Sequence, residues 1–239
     1  MSRRKVAILI SGRGSNMAAL IDAAASPDYP AEVVLVVSNR ADARGIAIAA
    51  AKGIATAIVP SKGMDRDAHD AEIGKALEAS GAEIVCLAGY LRLLTPGFFA
   101  NWQGRMINIH PALLPLFKGL DTHRRAIEAG MRIHGCSVHF VTPELDGGPV
   151  IAQARVAVDP TDDAERLALR VLEREHPLLL ATLDRLVAGR ITLATAPCGP
   201  RVEFDGVPLS APLQLASGNV APRLVGAATR HPPPPTDPC

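Results

Sequence analysis

Aromatic side chains are scarce: one Trp, two Tyr and five Phe in 239 residues, 3% of the chain. Proteins that hold single-stranded nucleic acid stack bases on such rings, so the scarcity argues against that class. Charge of one sign is lacking as well. Twenty-five Lys and Arg against 24 Asp and Glu leave a formal net charge of +1, and no basic field is offered to nucleic acid or to an acidic membrane. No segment approaches the ~20 uninterrupted apolar residues of a membrane span. The start MSRRKVAILI is basic and then apolar, but it runs straight into a glycine turn without a signal peptide's cleavage site. Cys86, Cys136, Cys198 and Cys239 are scattered without paired metal spacing and read as free thiols of a reducing compartment. The expectation is a cytoplasmic protein with no nucleic acid, membrane or metal among its partners, and no internal repeat is visible.

What is present is a 48% hydrophobic chain rich in Ala and Val, a composition that suits tightly packed βαβ units. Strands are expected at residues 5–10, 32–38, 55–59 and 84–88, alternating with helices at 17–25, 42–52 and 65–80 that stop at or near glycine. This alternation predicts an α/β, Rossmann-like, open and mostly parallel twisted sheet with helices on both faces. The stretch GYLRLLTPGFFANW reads as a loop and short helix over the sheet edge, with its first residues either lining an apolar pocket or simply packed. Strands then recur at 105–110, 135–141 and 150–158, a helix at 124–129, and a long helix at 161–188 capped by its Thr-Asp-Asp start. Pro177 is expected to break or kink that helix. Residues 191–195 and 201–204 suggest a hairpin, after which periodicity fades, and from about 218 the chain ending HPPPPTDPC reads as a flexible tail.

Chemistry concentrates in RMINIHPALLPL, residues 105–116. Asn108 and His110 are two apart, hence on one side of a strand that Pro111 ends, at the carboxyl end where open α/β sheets bind ligands. An amide and an imidazole together suit a developing oxyanion and proton transfer; a hydrogen-bonded strand end is the other reading of the same residues. The loop SGRGSN between the first strand and helix offers backbone N–H groups to an anion, with Gly12 and Gly14 allowing close approach and Ser15 capping the helix. It lacks the third glycine of a dinucleotide fingerprint and any Walker lysine, so it is either a monophosphate site or a tight turn. The loop carrying Lys118, Thr122 and His123 is placed to hold substrate or act as a lid. In GCSVHFV, Ser137 and His139 share one strand face and need partners, while Asp146 precedes two glycines in ordinary turn chemistry. Arg66, and the run from Glu173 through Glu175 to His176, read as solvated charges.

Taken in order, SGRGSN, LAGYLRLL, NIHPALLPLFKGLDTHRRAIEAG, SVHFVTPELDGGPVI and REHPLLL closely resemble the phosphoribosylglycinamide formyltransferase family of the formyltransferase superfamily, over roughly residues 6–206. The resemblance implies a catalytic domain at 1–206 and a C-terminal extension at 207–239, without the extra domains of the methionyl-tRNA and hydrolase relatives. It implies transfer of the formyl group of 10-formyltetrahydrofolate, a co-substrate, to the amine of glycinamide ribonucleotide in purine synthesis, by a monomer or homodimer. Asn108, His110 and Asp146 would be catalytic, with Asp146 favouring a protonated His110 and relaying the amine proton through water. Gly14, Ser15, Asn16 and Glu175 would hold the ribonucleotide. Arg66, Leu91, Arg92, Leu93, Leu94, Asn108, Thr142, Pro143, Glu144, Leu145 and Asp146 would hold the folate, and Ser137 and His139 would support the site. Ala112 and Tyr90 replace the usual serine and phenylalanine, and the segment before Arg66 is slightly short. The alternatives are a formyltetrahydrofolate hydrolase or another formyltransferase of the same fold, and a non-catalytic phosphosugar or folate-binding module.

Overall fold

The computed structural model describes residues 3–197, 199–216 and 224–226. Of the tail expected to be flexible from about residue 218, only 224–226 are described, and there Leu224–Val225 is a strand paired with Leu213–Leu215, so that part is ordered by sheet pairing; Cys198, Cys239 and the rest of the tail lie outside the described residues. The chain runs β1 (Arg4–Ile10), α1 (Ser15–Ala24), β2 (Ala31–Ser38), α2 (Arg44–Ala51), β3 (Thr56–Ile58), α3 (Arg66–Ser80), β4 (Ile84–Leu87), α4 (Pro96–Trp102) and β5 (Met106–His110). It continues through α5 (Thr122–Glu128), β6 (Ile133–Phe140), β7 (Val150–Ala157), α6 (Ala164–Val187), β8 (Ile191–Ala196), β9 (Gly199–Phe204), β10 (Val207–Pro208), β11 (Leu213–Leu215) and β12 (Leu224–Val225). One nine-stranded sheet has the order β12-β11-β7-β6-β5-β4-β1-β2-β3, and β8, β9 and β10 form a smaller one. Pairing is parallel from β3 to β5 and antiparallel through β6 and β7, giving the open, mostly parallel sheet expected.

Strand period sorts side chains between two cores. Val6, Ile8 and Ile10 enter a core shared with α1 and α6, whereas Ala7 and Leu9 enter one built with α3 and α4. In β5, Ile107 and Ile109 join the first core and Met106 the second. Asn108 and His110 therefore project on the α3–α4 face, at the carboxyl end of the sheet. Chain order reverses between β1 and β4: β1 passes outward to β2 and β3, and β4 returns on its other side. Such a reversal opens a crevice at the strand ends.

Several expectations are corrected. Helix α4 lies over the middle of the sheet, its Phe98 and Trp102 packed with Leu9, Leu87 and Met106, because it links the adjacent central strands β4 and β5. Helix α6 passes unbroken through Pro177; its buried face, including Val171, Leu178, Leu179 and Leu183, is held against the sheet strongly enough to override the missing N–H. Periodicity does not end with the hairpin, since Leu213–Leu215 adds to β7 in parallel. Ser15 is not the cap of α1. Gly14 is, at φ 76° with no side-chain cap bond, and Ser15 is the first helical residue. Gly12 has open space around its Cα, but a Cβ on Gly14 would lie 2.9 Å from the Gly45 Cα at the start of α2.

Gly14→Ala should lower stability by about 1–3 kcal/mol, from the left-handed backbone and the contact with Gly45. Denaturant unfolding measures it, and an unchanged midpoint would contradict the packing described.

Candidate active site

The first of three adjoining cavities at the carboxyl ends of the strands measures about 330 Å³ and is lined by the 12–16 loop, Pro111, His123 and Glu175. It shares Gly89, Leu91, Ile109, Pro111 and His123 with a second of about 530 Å³ that holds Asn108, His110 and Asp146. The third, about 70 Å³, takes in Tyr90, Arg92, Leu93, Leu94 and residues 142–146, and shares Asn108 and Asp146 with the second. The glycine loop and the polar cluster thus face one continuous cleft. Leu91, Leu93, Leu120 and Leu145, all in the middle cavity, are 66%, 52%, 71% and 52% exposed. Four exposed leucines converging on one hollow mark a binding surface for something partly apolar.

At its centre Asp146 meets two imidazoles. His110 Nδ1 stands 3.4 Å from Oδ2 and His139 Nε2 stands 3.7 Å from Oδ1, while the Gly119 N–H donates to Oδ2 at 2.9 Å. Asp146 reaches this position at φ 47°, in a turn that returns so closely that a Cβ on Gly148 would lie 1.9 Å from the Phe140 carbonyl oxygen. Burial raises the Asp146 pKa, but His139, the Gly119 N–H and His110 outweigh it and hold the carboxyl below its ordinary range. Asp146 therefore contributes stability above the ordinary carboxylate range and loses it as pH falls through the folded value.

Strand pairing supplies the rest. Asn108 lies opposite His139, and His110 opposite Ser137, in the β5–β6 ladder. His139 Nδ1 faces the Phe140 carbonyl at 2.9 Å; with the proton there, Nε2 accepts from Asn108 Nδ2 at 3.1 Å, and a proton on Nε2 would turn it to donate toward Asp146 Oδ1 instead. The first arrangement orients the amide with its second N–H unspent. Ser137 Oγ donates to the Ala112 carbonyl and accepts from the Leu114 N–H and from Gln153, so it fixes the loop after His110 and does not reach the cleft. Gln153 had no signal beyond being polar on a buried strand, and its role emerges only from the β6–β7 register.

Asp146 does pull His110 toward its protonated form, as expected, but burial opposes the pull and prevails. Burial is the largest influence and lowers the His110 pKa; the Phe117 carbonyl, 3.0 Å from Nε2, and Asp146 pull upward without compensating fully. The imidazole rests neutral, with acceptors facing both nitrogens and one proton to satisfy them.

Glu175 is not part of a solvated charged face. It is buried, accepts from Asn16 Nδ2 at 2.6 Å, and its pKa is raised by burial against the opposing effects of Asn16 and Arg13. Arg66 is exposed on the first turn of α3 and lines none of these cavities. Arg92 instead binds the carbonyls of Ser61 and Met64 at the rim. Leu94 belongs to the α3–α4 core while bordering the smallest cavity. Cys86 and Cys136 are free and buried, and burial pushes the Cys86 thiol up to about 12.

The formyl transferase family model matches residues 4–183. The chain belongs to the formyl transferase family. This formyl transferase is 43% identical over 189 residues to the phosphoribosylglycinamide formyltransferase of Escherichia coli, a match covering 79% of the chain and 89% of the relative. It is 42% identical over 193 residues to the trifunctional purine biosynthetic protein adenosine-3 of Gallus gallus, covering 80% of the chain but only 19% of that protein. A solved phosphoribosylglycinamide formyltransferase from Coxiella burnetii superposes with a TM-score of 0.82 at 39% identity, over 87% of this chain and 97% of that one.

By NMR the His110 ring should titrate below the ordinary ~6.5, and Asp146→Asn should lower its midpoint further by removing the carboxylate that pulls it up. A midpoint above the ordinary value, or one unmoved in the variant, would sink this electrostatic picture.

Proposed function

We propose that the chain transfers the formyl group of 10-formyltetrahydrofolate to the amine of glycinamide ribonucleotide, giving formylglycinamide ribonucleotide and tetrahydrofolate in purine synthesis. The observation that carries this reading is the single cleft joining a glycine-lined helix start to an amide, an imidazole and a carboxylate. The phosphate takes the N–H groups at Gly14, Ser15 and Asn16, where the start of α1 favours an anion. Glu175 receives the sugar or glycinamide end. The folate lies in the leucine-lined hollow, its pterin against the backbone of residues 142–146, with Leu91, Arg92, Leu93 and Leu94 along the other wall. Arg66 remains a candidate for the folate's outer, acidic end. The transfer unit is residues 1–206, with 207–239 as an extension; the protein is cytoplasmic and acts as a monomer or homodimer.

In this reading the amine nitrogen bonds to the formyl carbon and the carbonyl electron pair moves to oxygen. Asn108 donates its unspent N–H to that oxyanion. A resting neutral His110 takes up the proton the amine loses, Asp146 stabilises the resulting imidazolium, and the proton passes to the departing folate nitrogen as its bond to the formyl carbon breaks. For Nε2 to reach the reacting atoms, the Phe117 carbonyl contact must give way. Holding both substrates in one cleft supplies much of the acceleration. No helix among the described residues is long and apolar enough to cross a membrane.

A spectroscopic assay with 10-formyl-dideazafolate, with and without glycinamide ribonucleotide, tests the reading. Signal only with the amine supports transfer, and formate release without it indicates a hydrolase. His110→Ala and Asp146→Asn should each cut turnover by about 10²–10⁴ with modest loss of binding; near-native turnover in either would overturn the mechanism. Ser15→Glu should weaken the ribonucleotide far more than the folate, and equal losses would overturn the phosphate assignment.

A further inference from the structure

His123 is a polar group of the cleft that formyl transfer as drawn above leaves unused. It is the second residue of α5, directly after Thr122, whose hydroxyl anchors the helix start by donating to the Pro111 carbonyl at 2.7 Å. Five residues are common to the glycine-loop cavity and the cavity of Asn108, His110 and Asp146, and His123 alone among them carries a polar side chain. Gly89, Leu91, Ile109 and Pro111 complete the shared wall. The imidazole therefore stands at the waist of the cleft.

Its surroundings hold it there. The ring meets His134 edge-on, with centroids 5.3 Å apart and planes at 88°. His134 is 1% exposed and packs edge-on against Phe117 on another side, which makes a fixed backstop. Among the described residues, His123 Nδ1 and His134 Nε2 are both buried without a hydrogen-bond partner. Burial pushes His134 down to about 4, and burial followed by the nearby His110 lowers His123. Both rings are neutral near pH 7, so the His123 nitrogen that is not buried, Nε2, offers the cleft a single uncharged donor or acceptor. That chemistry suits a hydroxyl better than a phosphate. With the phosphate on the glycine loop and the amine at Asn108 and His110, the part of the acceptor crossing the waist is its sugar.

We propose that His123 is a positioning residue, hydrogen-bonding a sugar hydroxyl of the phosphorylated acceptor and setting how far its amine reaches into the reaction cavity. This rests on the acceptor assignment made above.

The test uses the full chain as wild type, His123→Ala and His123→Asn, the asparagine keeping an uncharged donor or acceptor at the waist. Calorimetric titration with glycinamide ribonucleotide gives its affinity, and steady-state assays give KM for each substrate and kcat. His123→Ala should weaken the ribonucleotide about tenfold, with KM for the formyl donor within about twofold, and His123→Asn should recover most of the loss. A ribonucleotide affinity unchanged in His123→Ala, an equal loss for both substrates, or an asparagine no better than alanine would each overturn the inference. Wild type that binds the ribonucleotide but transfers no formyl group would overturn the transfer reading alone, since the affinities still decide the role of His123. Wild type that does not bind the ribonucleotide would overturn both.

Discussion

Two imidazoles share one carboxylate, and the site depends on that contact. Asp146 sits 3.4 Å from His110 and 3.7 Å from His139, and the Gly119 N–H takes part of its remaining capacity. A buried carboxylate is costly unless surrounded by donors or positive charge, so three segments must be held in place together. The β5 end supplies His110, β6 supplies His139, and the loop before α5 supplies Gly119. That loop departs from relaxed backbone at Phe117 and Asp121, with φ of 54° and 55°, strain of the kind that persists where surrounding structure imposes it.

The antiparallel turn from β5 to β6 makes the rest possible. Were the sheet parallel throughout, β6 would not bring His139 opposite Asn108, and the asparagine amide would lack the partner that orients it. With its proton on Nδ1, facing the Phe140 carbonyl, His139 leaves its other nitrogen available to Asn108. Ser137, two residues away along β6, ties down the loop after His110. Asn108, His110, Ser137 and His139 thus come from the same two strands, on positions two apart, and a slip of one residue would turn all four into the opposite core.

Electrostatics then divides the labour. Burial keeps the imidazole of His110 neutral until a proton arrives, whereas the carboxylate of Asp146 stays charged against burial because His139, the Gly119 N–H and His110 oppose it. Both shifts are downward, which leaves an uncharged imidazole beside a charged carboxylate, a pair suited to taking up a proton during reaction. Glu175 lies at the other end of the cleft, where burial raises its pKa and Asn16 opposes the rise.

Local pattern was enough for much of this. Continuous apolar runs such as Lys-Val-Ala-Ile-Leu-Ile specify doubly buried strands, glycine stops specify helix ends, and the two-residue spacing of Asn108 and His110 specifies a shared face, because each depends only on neighbours along the chain. The order of motifs was legible too, and carried Asp146, Ser15 and Glu175 into the site. What sequence could not show was set by atoms distant along the chain. Glu175 reads as one charge in a charged run until Asn16, 159 residues away, covers it. Gly14 proved to be the cap where Ser15 looked better, because Gly45 closes on it. Pro177 failed to break α6 because packing outweighed a lost hydrogen bond, and the proton on His110 was decided by burial, a property of the whole fold.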